Sequence, residues 1–162
     1  MGIIDTQKPV RDRKPGSAGF TLIELLIVVA IIGIITAAAI PGLIGAINQA
    51  RQKKTMAEMA TMSTAIGVYY LDHGLYPIVP DGVAQDLNEF LAPHIIKIVP
   101  RDDGWGREFR YSCNTGREYT VVSLGLNGQP DTPYIVGPTR RFLDDIVQSG
   151  GHFVQWPDGA QY

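Results

Sequence analysis

A long apolar run fills the early part of the chain. From Phe20 to Ile47 the sequence has 28 residues, and Glu24 is the only charged residue among them. At about 1.5 Å per residue, a helix of this length spans roughly 42 Å, which exceeds the roughly 30 Å hydrocarbon core of a bilayer. The pattern therefore predicts a membrane-spanning helix over residues 20–47.

Basic residues precede this run, and an acid lies near its start. By the positive-inside rule, the basic residues favour a cytoplasmic N-terminus. They are Lys8, Arg11, Arg13 and Lys14. A secretory signal peptide has an apolar region of only about 7–15 residues, so this run is too long for one. An ordinary membrane anchor explains the length but not Glu24, because an acid in a membrane segment costs about 3 kcal/mol on insertion scales. Glu24 therefore indicates a pairing site.

Helix-forming residues continue past the apolar run as far as Asp72. Small and apolar side chains recur there at roughly helical spacing, which predicts a face that packs on a globular domain. The members of this predicted face are Ile47, Ala50, Ala57, Ala60, Ala65 and Val68.

Turn residues and short β patterns replace the helical pattern after residue 72. Gly74 and Pro77 end the helix, because glycine is favoured just past a helix end and proline cannot continue the helix. Alternating apolar residues and turn signals then predict short elements. These are a helical stretch over residues 84–91, a β-hairpin of residues 108–113 and 119–124, a loop over residues 127–139 and a strand pair within residues 146–156. The predicted fold class is α+β, with a long N-terminal helix packed on a small antiparallel β-sheet.

Composition and charge argue against several function classes. The 162 residues suit one domain, and the formal net charge of −2 argues against a nucleic-acid binder. The three histidines lack zinc-site spacing, and Ser123 lacks the preceding glycine of a nucleophile elbow, so we expect no enzymatic activity. Cys113 is the single cysteine. No internal disulfide can form, and we expect a buried thiol in a strand.

The segment Gly19-Phe20-Thr21-Leu22-Ile23-Glu24 combines a glycine, an aromatic residue and an acid at the start of the apolar run. It resembles the processing site of type IV pilins and of the pseudopilins of type II secretion. The resemblance implies that prepilin peptidase cleaves between Gly19 and Phe20 and N-methylates Phe20. It divides the chain into a cleaved leader (1–19), a transmembrane and filament-core helix (20–47) and a periplasmic globular domain (48–162) that includes the second half of the helix.

Glu24 has a defined role if the cleaved chain polymerises. Cleavage creates an amine on Phe20, and an unpaired ammonium or carboxylate is costly in an apolar assembly. Glu24 of one subunit can pair with the Phe20 amine of a neighbour and fix its axial register. The two residues are four apart in one chain, so an ion pair within the chain is the alternative.

Pro41 falls where the family breaks its helix. Proline removes one backbone hydrogen bond and clashes with the preceding turn. Gly42 and Gly45 follow, and each weakens a helix by about 1 kcal/mol relative to alanine. We expect the helix to kink or melt at Pro41–Gly45 when subunits pack. A kinked but intact helix, which is common in membrane segments, is the alternative for the isolated chain.

Motifs after residue 72 resemble the major pseudopilins in particular. The matching segments are Asp72 to Pro77, Val99 to Asp102 with Gly104-Trp105-Gly106, and Tyr119 to Gly128. Two departures stand out. Asp103-Gly104 replaces a single proline before the tryptophan, and Asn127 stands where the family usually has aspartate.

The same resemblance implies a C-terminal calcium site, and calcium is the only cofactor that we expect. Calcium takes about six to eight hard oxygen ligands. The family pattern falls on the Leu124 carbonyl, Asn127, Asp144 and Asp145, with Asp131 as a candidate substitute. A solvated acidic loop of turn-forming residues is the alternative.

We expect a structural subunit of a pilus-like filament, most like the major pseudopilin of a type II secretion system, which helps to move proteins across the outer membrane. Such a subunit crosses the bacterial inner membrane once and has its C-terminal domain in the periplasm. The implied partners are copies of itself, prepilin peptidase, the inner-membrane assembly platform and minor pseudopilins. The alternatives are a type IV pilus major pilin and a minor tip pilin that binds a ligand such as DNA or a secreted protein. Glu24 favours a subunit of the filament body.

Overall fold

A computed structural model describes residues 19–159 of the chain. The predicted leader therefore lies outside the described residues, except for Gly19. In chain order the elements are α1 (Leu22–His73), β1 (Val79–Val83), a 3₁₀ turn (Ala84–Leu87), α2 (Asn88–Leu91), β2 (Arg110–Cys113), β3 (Thr120–Ser123), β4 (Gly137–Thr139), β5 (Ile146–Ser149) and β6 (His152–Pro157). The chain forms two compact units, which divide after Ala39 within α1.

In the first unit, α1 is apolar on all sides. Every side chain from Phe20 to Ala39 is exposed. Leu22 and Ile34, for example, are 88% and 72% exposed. A helix that is apolar all round suits a protein core or a membrane. α1 is long and apolar enough to cross a membrane, in agreement with the predicted span.

α1 is continuous through Pro41 and Gly42. The isolated chain therefore has an intact helix, which was the alternative to a break at this point. A break that forms when neighbouring subunits pack stays a prediction.

The second unit buries a face of α1 that differs from the predicted one. The buried residues of α1 are Asn48, Gln52, Thr55, Met59, Met62, Ala65 and Ile66. Of the predicted face only Ala65 is buried, while Ile47 and Val68 are 44% and 40% exposed. The prediction was wrong because it followed hydrophobicity alone, whereas the first turns of the true face bury polar side chains that bond to a loop.

In the described residues, six strands form one sheet in the order β1-β2-β3-β5-β6-β4. The predicted hairpin is confirmed as the antiparallel pair β2–β3, and the predicted strand pair is β5–β6. The sheet is mixed rather than purely antiparallel, because β4 runs parallel to β6. Neither β1 nor β4 was predicted, and β4 lies in the predicted loop. Both contain glycine and proline, and both are edge strands, where proline is tolerated.

The sheet carries apolar side chains on both faces. The larger core joins α1 to one face, and its members include Met59, Met62, Ile66, Phe109, Tyr111, Val121 and Ile146. Cys113 belongs to this core, as predicted. A smaller cluster contains Val122, Leu124 and Val147. Successive strand residues point to opposite faces, so Val121 and Val122 belong to different clusters. The α+β fold class is confirmed.

Candidate functional site

The predicted processing site lies where the chain enters α1. Gly19, Phe20 and Thr21 precede the helix, which begins at Leu22. A Cβ built on Gly19 would meet no described residue within 4 Å, and Phe20 is 80% exposed. The peptide bond between Gly19 and Phe20 is therefore accessible, which favours proteolysis.

Thr21 and Glu24 form a capping box at this helix end. The Thr21 N–H and hydroxyl donate to Glu24 Oε2 at 2.9 and 2.8 Å. The Glu24 N–H donates to Thr21 Oγ1 at 3.3 Å. These bonds satisfy N–H groups that the start of a helix leaves without partners. Thr21 was not among the predicted site residues, although the Thr-x-x-Glu spacing is the signal that identifies it.

Neither predicted ion pair of Glu24 is formed in this chain. Phe20 is joined to Gly19 by a peptide bond, so it has no free amine. The pair with a neighbour and the pair within the chain both stay predictions for the cleaved form. The capping box is a third use of the carboxylate, and it needs no second subunit.

The predicted calcium ligands lie on two segments that run side by side. The Leu126 N–H donates to the Phe142 carbonyl at 2.8 Å. A Cβ on Gly125 would approach the Asp144 carbonyl to 2.6 Å, so the backbones are in contact there. The loop of residues 124–128 is therefore adjacent to the segment that carries the two aspartates.

The oxygen atoms of the first two predicted ligands close a turn. The Leu124 carbonyl accepts a hydrogen bond from the Gly128 N–H at 3.1 Å. Asn127 is exposed, and its Oδ1 accepts the Gln129 N–H at 3.0 Å. Such a local bond is typical of asparagine in turns. Leu124 and Asn127 therefore form hydrogen bonds within a turn, as expected for the alternative of a loop of turn-forming residues.

The two aspartates have different partners. Asp144 contacts Arg141 with both carboxylate oxygens, at 3.4 Å to Nε and at 3.2 Å to the backbone N–H. Asp145 exchanges bonds with Asp131, because the N–H of each donates to Oδ2 of the other at 3.0 and 2.9 Å. Asp145 Oδ1 is buried without a hydrogen-bond partner among the residues that the structure describes, and burial raises the pKa of Asp145 to about 6. Asp145 therefore keeps one oxygen available, whereas Asp144 does not.

The arrangement does not fit a calcium cage as it stands. Among residues 19–159, no group of three or more His, Cys, Asp or Glu side chains is placed to hold a metal ion. Calcium needs about six to eight oxygen ligands, and the Arg141 guanidinium beside Asp144 opposes a further cation. Calcium binding stays a prediction that rests on the resemblance.

The apolar start of α1, the accessible bond before it and the small α+β domain define a membrane-anchored subunit of the pilin type. A family model described as a prokaryotic N-terminal methylation motif matches residues 14–40. A second model, described as type II secretion system protein G, matches residues 42–135. The chain belongs to the type II secretion system protein G family.

Curated relatives carry the same description. The chain is 31% identical over 121 residues to the type II secretion system core protein G of Vibrio cholerae, with 68% of this chain and 82% of that protein covered. It is 29% identical over 134 residues to the protein of that name from Klebsiella michiganensis, with 77% and 94% covered. No solved structure matches the chain. The family match ends at residue 135, so β4, β5 and β6 lie beyond it.

Proposed function

We propose that this chain is the main structural subunit of the pilus-like filament of a type II secretion system, the pseudopilus. Family membership supports this function over a type IV pilus. The observation that carries the proposal is the start of α1, where an accessible Gly19–Phe20 bond precedes a helical segment that is apolar on all sides as far as Ala39. Such a helix needs lipid or other apolar helices around it, and a filament subunit meets each of these in turn.

The subunit begins as a membrane precursor. The basic residues before the apolar run keep its N-terminus in the cytoplasm, so the single span places residues 48–162 in the periplasm. Prepilin peptidase removes residues 1–19 and methylates Phe20. The match to a methylation motif over residues 14–40 supports this processing step.

Assembly then takes place through residues 20–47. The capping bonds from Thr21 go to Glu24 Oε2, which leaves Oε1 to pair with the Phe20 amine of a neighbouring subunit. In an apolar filament core such a pair is favoured strongly, because either charge alone is costly there. The pair fixes the axial register between subunits, and the globular domains coat the outside of the filament.

The proposed role is structural and not catalytic. The partners are the inner-membrane assembly platform, which adds subunits, and the minor pseudopilins that complete the filament. Glu24 supports a subunit of the filament body rather than a ligand-binding subunit at the tip. Growth of the filament in the periplasm would help to move secreted proteins across the outer membrane.

Intact-mass measurement on purified filaments tests the processing step. We expect a wild-type mass that begins at Phe20 and carries one methyl group. Gly19→Glu should leave a membrane-bound precursor that retains residues 1–19, because it replaces the residue before the cleaved bond. Gly16→Glu adds the same charge to the leader away from that bond and should still be cleaved. A wild-type filament mass that includes residues 1–19 would contradict the proposal.

A further inference from the structure

Arg107 contacts the loop in which the resemblance places calcium. Its Nη1 donates to the Gly125 carbonyl at 2.8 Å, and its Nη2 donates to the Leu126 carbonyl at 2.9 Å. Gly128 closes the loop over the side chain, since a Cβ there would collide with Arg107 Nε. The planar fork of an arginine suits two adjacent acceptors, because its N–H groups have a fixed geometry. One guanidinium therefore holds both carbonyls.

A buried carboxylate fixes the backbone of Arg107. Asp103 is 2% exposed, and its Oδ1 accepts the N–H groups of Trp105 and Arg107 at 2.9 and 3.0 Å. Its Oδ2 accepts the Ser123 hydroxyl at 2.7 Å. Ser123 is the last residue of β3, so Asp103 ties the turn that carries Arg107 to the strand that leads into the 124–128 loop. Asp103 is also part of the departure from the pseudopilin pattern.

We infer that Arg107 is a built-in cation that orders the 124–128 loop, so that the C-terminal part of the domain folds without calcium. Carbonyls that converge at the end of a strand need donors, since an acceptor without one loses its hydrogen bonds to water on folding. The guanidinium supplies two donors and a positive charge. A calcium ion bound in the same loop would be repelled by that charge.

The test uses the full chain in detergent, stripped of metal with a chelator and returned to buffer with or without millimolar calcium. Arg107→Gln and Arg101→Gln form a matched pair, because each removes one guanidinium from the same segment. Arg101 is an exposed residue that pairs with the Glu108 side chain at 2.8 Å, and exposed pairs contribute little to stability. Tryptophan fluorescence follows thermal unfolding, and hydrogen exchange follows the Leu126 and Gly128 amides.

We expect the wild-type midpoint to be the same with and without calcium. Arg107→Gln should lower the midpoint by about 5 °C or more beyond Arg101→Gln and speed exchange of the two loop amides about tenfold or more. Arg107→Lys keeps the charge but not the fork, so it should fall between wild type and Arg107→Gln. If Arg107→Gln does not fold, Arg107→Lys is compared with Arg101→Gln in its place.

Two results would overturn the inference. One is a wild-type midpoint that rises with calcium, which would mean that the loop binds the metal despite the arginine. The other is an Arg107 variant that matches Arg101→Gln in both midpoint and amide exchange, which would mean that the loop is ordered by packing alone.

Discussion

The two parts of α1 differ in what surrounds them. From Phe20 to Ala39 every side chain is exposed and almost all are apolar. From Asn48 to Ile66 one face is buried, and the first members of that face are polar. Hydrophobicity and burial are thus inverted along one helix, with the most apolar part exposed and a polar part buried.

Available partners explain the inversion. A loop of the same unit bonds to the polar face of α1, since the Gly104 N–H donates to Thr55 Oγ1 at 2.9 Å and Trp105 Nε1 donates to Asn48 Oδ1 at 3.4 Å. Buried polar groups are tolerated when they are hydrogen-bonded. Residues 20–39 are not buried by any other described residue, and their length and composition suit a membrane span.

We expect the largest loss of filaments from substitutions at the start of the exposed part of α1. Glu24→Gln keeps a side chain that can close the capping box but removes the charge, while Thr21→Val removes the hydroxyl and keeps the charge. If Glu24 pairs with the Phe20 amine of a neighbour, Glu24→Gln should reduce sheared filaments about tenfold or more, as the loss of a charged hydrogen bond would. Thr21→Val should have a much smaller effect. Immunoblots of sheared and membrane fractions measure both.

Equal amounts of each variant in the membrane are the control for this comparison. Glu24→Ala should insert as well as wild type or better, because it removes a costly acid from a membrane segment. A Thr21→Val variant that loses filaments while Glu24→Gln keeps them would show that the capping box matters and the ion pair does not.

We expect a smaller effect, on stability, from a substitution where the second part of α1 contacts the loop that contains Gly104. Gly104 lies against the Arg51 carbonyl of α1, so the Cβ of Gly104→Ala would collide with backbone. Such overpacking costs about 1–3 kcal/mol. Gly67→Ala adds the same atom within α1 itself, where no described residue lies within 4 Å of the new Cβ, and it should gain up to about 1 kcal/mol. Thermal unfolding measures both variants. If Gly104→Ala and Gly67→Ala shift the midpoint by the same amount, the close contact between the loop and α1 is contradicted.

The sequence predicts the parts of the fold that local patterns encode. The apolar run and the β2–β3 hairpin are found because length, alternation and turn residues lie together in the chain. The edge strands β1 and β4 were missed because their glycines and prolines indicate loops, and only pairing with a distant strand makes them extended. The polar face of α1 was missed because its partners lie about fifty residues further along.

The processing site and the predicted calcium loop also differ in whether local sequence encodes them. Gly19, Phe20 and Glu24 form one contiguous motif, so their place at the start of α1 could be predicted. Arg107 lies 18 residues from Gly125, and no local spacing indicates that the two meet. A resemblance transfers the ligand set of a family, but it does not show that a side chain of this chain holds neighbouring carbonyls of the same loop.

The most direct measurement is a helical reconstruction by electron cryomicroscopy of filaments sheared from cells that make this chain. We predict that residues 20–47 of neighbouring subunits pack against one another along the filament axis, with the globular domains outside. We also predict that the Glu24 carboxylate lies within about 4 Å of the methylated Phe20 amine of another subunit. A lattice held by the globular domains alone, with the apolar helices apart, would contradict the proposal.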